Sequence, residues 1–138
     1  MLVLDTSVAI KWVVEEEGTS AAAALSWRSL IAPDLFQAEV GNVITKKVRR
    51  SEMTALQARS GYGVIMSRVS LLPLEPLGVA AFELSLMLPH SIYDCYFLAA
   101  ARSLGTAMVT ADETFVRKAR AWDPQAPVHL LGEAIPDE

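Results

Sequence analysis

A chain of 138 residues suits one domain around one continuous core, and its mean hydropathy of +0.31 hints that a partner subunit covers some apolar surface. The net charge of −4 excludes a general attraction for nucleic acid, and a single cysteine, Cys95, excludes both an internal disulfide and a thiolate metal cluster. No basic stretch opens the chain and its longest apolar runs are broken by Pro89, His90 and Asp94, so we expect one cytoplasmic domain over 1–138, without export signal or membrane span.

In chain order, Leu2 to Leu4 reads as a short strand closed by Asp5-Thr6-Ser7, after which Val8, Trp12 and Val13 recur at helical spacing. Ala21 to Leu30 is alanine-rich and reads as helix, followed by extended Ile31-Ala32-Pro33. Asp34 is placed to cap the next helix, with Gln37 at the capping-box position, and that helix should run to about Arg50. Ser51 then opens another with Glu52 in its first turn and Leu56, Tyr62, Ile65, Met66 and Val69 as its apolar positions. Leu71 to Leu74 is the second strand, and Val79 to Leu88 is a helix that stops before Pro89. Ser91 caps an almost wholly apolar, hence buried, helix through Ala101, which Gly105 ends. Thr106 to Val109 is the third strand, Asp112 to Ala121 a helix with basic Arg117, Lys118 and Arg120, and Val128 to Leu130 the last strand. Alternation of short apolar strands with helices predicts an α/β domain with a parallel sheet.

Four carboxylates stand alone in uncharged, mostly apolar stretches: Asp5, Glu39, Asp94 and Asp112. Without them the remaining chain is neutral, so the acidity reads as a site on a balanced surface. Asp5 and Asp112 follow strands, Asp94 lies in the first turn of the buried helix, and Glu39 lies on or beside the apolar stripe of its own. In an open parallel sheet ligands bind beyond the carboxyl ends of the strands, so the expectation is that the four meet there. Local roles stand beside that one. Asp5 fits an N-cap, Ser91 to Asp94 fits a capping box, and Asp112 fits a first-turn acid beside a box at Thr110 and Glu113. Glu39 has no such local use.

Two unit charges about 4 Å apart repel by roughly 4 kcal/mol at an effective dielectric of about 20, so acids sharing a pocket need compensation. No lysine or arginine is close to them in sequence, which makes a divalent cation the simplest answer, and all-oxygen ligands select Mg²⁺ or Mn²⁺. An open acidic Mg²⁺ site is suited to phosphodiester hydrolysis.

Val3-Leu4-Asp5-Thr6-Ser7, Ala32-Pro33 through Glu39-Val40-Gly41-Asn42, Ile92-Tyr93-Asp94 with Phe97-Leu98-Ala99, and Val109-Thr110-Ala111-Asp112 with Phe115 follow one another in an order and spacing that resembles the PIN-domain ribonucleases. At this length the chain is similar to the VapC-type toxins of bacterial toxin–antitoxin pairs; the likeness spans all but roughly residues 50 to 85. The resemblance implies a three-layer fold, with a central parallel sheet of four to five short strands flanked by helices. It implies a Mg²⁺- or Mn²⁺-dependent endoribonuclease acting on tRNA or rRNA, with Asp5, Glu39, Asp94 and Asp112 as its acidic residues. Asp5 and Asp94 would be the most direct metal ligands and Glu39 and Asp112 would complete the shell or orient water, with Thr6 or Thr110 adding a hydroxyl; Asn42 matches a frequent family position and could equally orient Glu39 or do nothing. It further implies a homodimer and a small VapB-type antitoxin, with operator DNA bound only through that antitoxin. The alternatives are a Mg²⁺-dependent phosphatase or phospho-receiver domain and a non-catalytic, partner-binding PIN-like protein.

Other residues carry plainer readings. Lys46, Lys47, Arg49 and Arg50 make a solvated helix end, as do Arg117, Lys118 and Arg120. His90 is a turn residue, His129 a strand residue, Glu113 a capping residue, Cys95 a small buried hydrophobe, and Tyr93 and Tyr96 are core. Trp12 and Trp27 are open to a place in a dimer or partner groove.

Overall fold

The computed structural model describes residues 1–136. Five strands form one parallel sheet: β1 (Leu2–Leu4), β2 (Leu30–Pro33), β3 (Ser70–Leu72), β4 (Ala107–Thr110) and β5 (Val128–Leu130), in the order β3-β2-β1-β4-β5. Between them run α1 (Thr6–Ala9), α2 (Thr19–Leu25), α3 (Leu35–Arg49), α4 (Ala55–Arg68), α5 (Gly78–Met87), α6 (Ile92–Leu104) and α7 (Glu113–Trp122). Chain order moves outward from β1 to β3, then jumps back across to β4, so the switch point lies between β1 and β4. Right-handed crossovers, the rule for parallel strands, place α1 to α4 on one face and α5 to α7 on the other.

Burial explains the central strand. Leu2, Val3 and Leu4 are all buried, as a strand covered on both faces requires, and Leu4 is paired with Val109. Phe36, Phe97, Phe115, Ile44, Ile65 and Leu98 fill the layers on either side. In α6 the run Phe97 to Ala101 is buried, and Gly105, at φ +64°, ends it with Thr106 N–H returning to the Ala101 carbonyl. No helix among the described residues is long and apolar enough to cross a membrane.

Several local expectations change. The alanine-rich helix stops at Leu25, where Ser26 Oγ donates to the Ala23 carbonyl, and Leu30 belongs to β2, making Ile31-Ala32-Pro33 part of a full strand. Asp34 sits at the start of α3 without a side-chain cap, so the Asp34–Gln37 box does not form. Ser51 does not open α4 either: it takes φ +59° in a turn, and the cap is Thr54, whose Oγ1 accepts from Gln57 N at 3.1 Å while Gln57 Oε1 accepts from Thr54 N at 3.0 Å. Ser91 makes no side-chain cap, and Tyr93 is exposed rather than core.

Candidate active site

The switch point between β1 and β4 opens into a cleft of about 470 Å³ lined by Asp5, Glu39, Asp94 and Asp112, with Asn42, Lys11 and Lys47 also on its wall. Each acid arrives by a different route. Asp5 ends β1 and is the N-cap of α1; Glu39 projects from α3; Asp94 stands in the first turn of α6; Asp112 is the N-cap of α7, accepting from Phe115 N at 3.0 Å. The capping readings of Asp5 and Asp112 are therefore real and coexist with a place on the cleft. The box expected from Thr110 to Glu113 is not formed, because Thr110 ends β4 and turns its hydroxyl to Asp5.

Asp5 is held from one side. Its Oδ2 accepts from Ser7 Oγ at 2.5 Å, Ser7 N at 3.3 Å and Thr110 Oγ1 at 3.1 Å. Those two hydroxyls in turn accept backbone N–H groups, Ser7 Oγ from Ala111 at 3.1 Å and Thr110 Oγ1 from Asp112 at 3.2 Å. The ends of β1 and β4 are thus tied through one carboxylate oxygen, and Oδ1 is left for the cleft. Glu39 is braced likewise: Thr6 Oγ1 donates to its Oε1 at 2.9 Å. No bond links Asn42 to Glu39 among the described residues, so Asn42 stands on the cleft wall without orienting that carboxylate.

Asp94 has a partner that the plain reading of His90 as a turn residue overlooks. His90 Nε2 lies 2.6 Å from Asp94 Oδ2 and 3.9 Å from Asp112 Oδ2, and these three side chains are close enough to share a metal ion. The signal was the four-residue interval from His90 to Asp94, although His90 itself lies two residues before α6. What sets the ring, however, is Phe115, at 4.8 Å between centroids, and Lys118, both far away in sequence.

Electrostatics describes a cleft that resists full ionisation. Burial pushes Asp5 up to about 6, with the charge of Asp94 adding to the effect and the bonds from Ser7 and Thr110 opposing it. Burial likewise pushes Glu39 up to about 7, against the Thr6 hydrogen bond, and Asp5 and Asp94 raise it further. Asp94 is raised by burial in spite of His90. Lys11 is occupied by Glu16 Oε1 at 3.0 Å and the Glu17 carbonyl at 2.7 Å, and Lys47 leans to Glu52 at 3.9 Å. Among the described residues no lysine or arginine pairs with any of the four acids. An oxygen-rich, mutually repelling donor set without a fixed cation fits a hard divalent metal.

A larger hollow of about 840 Å³ lies away from the acids, walled by Trp12, Val13, Val14, Met53, Leu56 and Val64, and it shares only Lys47 with the cleft. Its lining also includes Glu15, Lys47 and Glu52, but the four carboxylates meet only in the smaller cleft.

The profile of the PIN domain family matches residues 2–121. Three solved structures share the fold. A crystal structure of PAE2754 from Pyrobaculum aerophilum is 21% identical with TM-score 0.67, covering 94% of this chain and 88% of that one. VapBC2 from Rickettsia felis, bound to a DNA fragment from the promoter, is 14% identical with TM-score 0.68, covering 94% and 97%. A toxin–antitoxin complex from Klebsiella pneumoniae is 12% identical with TM-score 0.68, covering 97% and 100%. A search of curated protein sequences returns no match.

Proposed function

Since this chain belongs to the PIN domain family, we propose that it is a Mg²⁺- or Mn²⁺-dependent endoribonuclease, the VapC-like toxin of a type II toxin–antitoxin pair. The observation that carries the reading is the meeting of Asp5, Glu39, Asp94 and Asp112 at the switch point, two of them pushed to about 6 and about 7 with no lysine or arginine to neutralise them. Two structural neighbours being toxin–antitoxin complexes supports the biological role.

Asp5 and Asp94 are assigned as the direct ligands, with Glu39 and Asp112 completing the shell or orienting water. The bound ion supplies Lewis acidity towards the scissile phosphate and lowers the cost of deprotonating water. The chain does the rest. Ser7 and Thr110 fix Asp5 through Oδ2 so that Oδ1 is presented at a set angle, and Thr6 does the same for Glu39 through Oε1. Thr6 engages Glu39 only at Oε1, so Oε2 is the oxygen that would accept a proton from the attacking water. Asn42 and Lys47 on the cleft wall are placed to bind the RNA backbone. The exposed apolar residues of α5, Val79, Phe82 and Leu86, support a homodimer, and the hollow beside Trp12 supports the seating of an antitoxin segment. A phosphatase is less favoured, because Ser7 stands two residues after Asp5 where that chemistry wants a second acid.

Incubation with a tRNA and rRNA pool tests the proposal. Cutting should require Mn²⁺ or Mg²⁺, stop with EDTA and vanish in Asp94→Asn. Cleavage that survives chelation and this substitution, or faster turnover of a small phosphomonoester, would refute it.

A further inference from the structure

No capping bond holds Asp94. It occupies the third position after Ser91, yet Ser91 makes no cap and the expected exchange between the two is missing. The carboxylate is held from outside α6, by His90. The state of that ring follows from its other nitrogen. Nδ1 faces Lys118 Nζ at 3.4 Å, and an ammonium has only hydrogens to offer, so this contact favours a lone pair on Nδ1. The ring proton is then on Nε2, donated to Asp94 Oδ2 at 2.6 Å, while Asp112 Oδ2 at 3.9 Å lies beyond hydrogen-bond reach. Lys118 is itself fixed by donating to the Pro89 carbonyl at 2.8 Å, and Phe115 packs on the ring at 56°. Phe115 and Lys118 are three residues apart on α7, the helix that Asp112 caps.

We propose that His90 is a positioning residue: clamped by Lys118 and Phe115 in its Nε2–H tautomer, it fixes Asp94 through Oδ2 and leaves Oδ1 to face the cation. This rests on the metal site proposed above. It assigns His90 outside the ligand set, although its distances to Asp94 and Asp112 would let it join. Without the clamp Asp94 is able to swing back towards the Ser91 N–H, the ordinary S-x-x-D arrangement, and away from the cleft.

The test is Mn²⁺ titration of the full chain by calorimetry, with wild type, Asp5→Asn, His90→Phe, His90→Gln and Lys118→Met compared. Phenylalanine keeps the packing on Phe115 and loses the donor; glutamine returns an N–H near the Nε2 position. Losing an outer-sphere partner typically weakens metal binding about 10–100-fold, the drop expected for His90→Phe, with most of it restored in His90→Gln and an intermediate loss in Lys118→Met. In the metal-free wild type, nitrogen NMR should find the His90 proton on Nε2. Wild-type affinity in His90→Phe, or no recovery in His90→Gln, overturns the positioning role alone, as does a directly coordinated nitrogen in the electron spin echo of bound Mn²⁺. A wild type that binds Mn²⁺ no better than Asp5→Asn overturns the metal site, and the role of His90 with it.

Discussion

Replacing Asp5 by asparagine should stabilise the metal-free chain. All three hydrogen bonds to Asp5 end on Oδ2, so an asparagine with Oδ1 in that place keeps the two hydroxyl donors and the Ser7 N–H and turns its amide towards the cleft. What it removes is a buried charge. The carboxyl rises from 3.8 to about 6, and a raised carboxyl destabilises the fold progressively as pH climbs from the unfolded value to the folded one, the cost staying constant above it. At 1.36 kcal/mol per pH unit the cost reaches about 3 kcal/mol at pH 8 and falls to about 0.5 kcal/mol at pH 4, where Asp5 is protonated in the folded chain and half so in the unfolded one. For a domain of this size about 3 kcal/mol corresponds to roughly 6–12 °C in the thermal midpoint. Calorimetry of EDTA-treated wild type and Asp5→Asn between pH 4 and 8 should show midpoints that nearly coincide in acid and separate as pH rises, the variant being higher. A variant less stable than wild type at pH 8, or an advantage independent of pH, would refute the electrostatic account of the cleft.

The same linkage governs metal binding. Mn²⁺ should raise the wild-type midpoint more at pH 8 than at pH 5.5, because at the lower pH it must displace protons from Asp5 at about 6 and Glu39 at about 7; an equal gain at both, seen by thermal shift, would contradict this. Thr6→Val keeps the shape but removes the donor to Glu39 Oε1, a charge-assisted bond worth about 1.5–3 kcal/mol, so the acid limb of the metal-affinity profile should move to higher pH; a profile that stays put would speak against that brace. Asp94→Asn should lower RNA cleavage by more than the about 10–100-fold typical of losing an outer partner, measured on a fluorescent RNA, and a smaller loss would remove Asp94 from the ligands.

The acids stood out because Asp5, Glu39 and Asp94 are each a lone charge in an apolar run and Asp112 closes another, a pattern that survives without knowledge of the fold. Strands β1, β4 and β5 were legible for a related reason: short apolar runs with sharp ends. β2 was blurred because Ala21 to Leu30 carries no proline or glycine to mark the end of α2, which is set by the Ser26 hydroxyl turning back on Ala23. Two capping signals lay three residues apart at Ser51 and Thr54, and only Thr54 has a glutamine three residues on; that reciprocal pair won. His90 was the main loss. Its bond to Asp94 spans only four residues, but His90 lies outside α6 and its ring orientation depends on α7, and no local pattern announces a contact across 28 residues. Ser7 was passed over similarly, since its hydroxyl matters only once Ala111 is beside it.

The central claim is that these acids gather around one divalent ion. Crystals grown with Mn²⁺ and measured for its anomalous scattering test it directly. The account predicts a peak within about 2.0–2.3 Å of oxygens of both Asp5 and Asp94, the range expected for such hard ions. Cleft acids in place with no peak between them, or a peak seated only on His90 and Asp112, would contradict it.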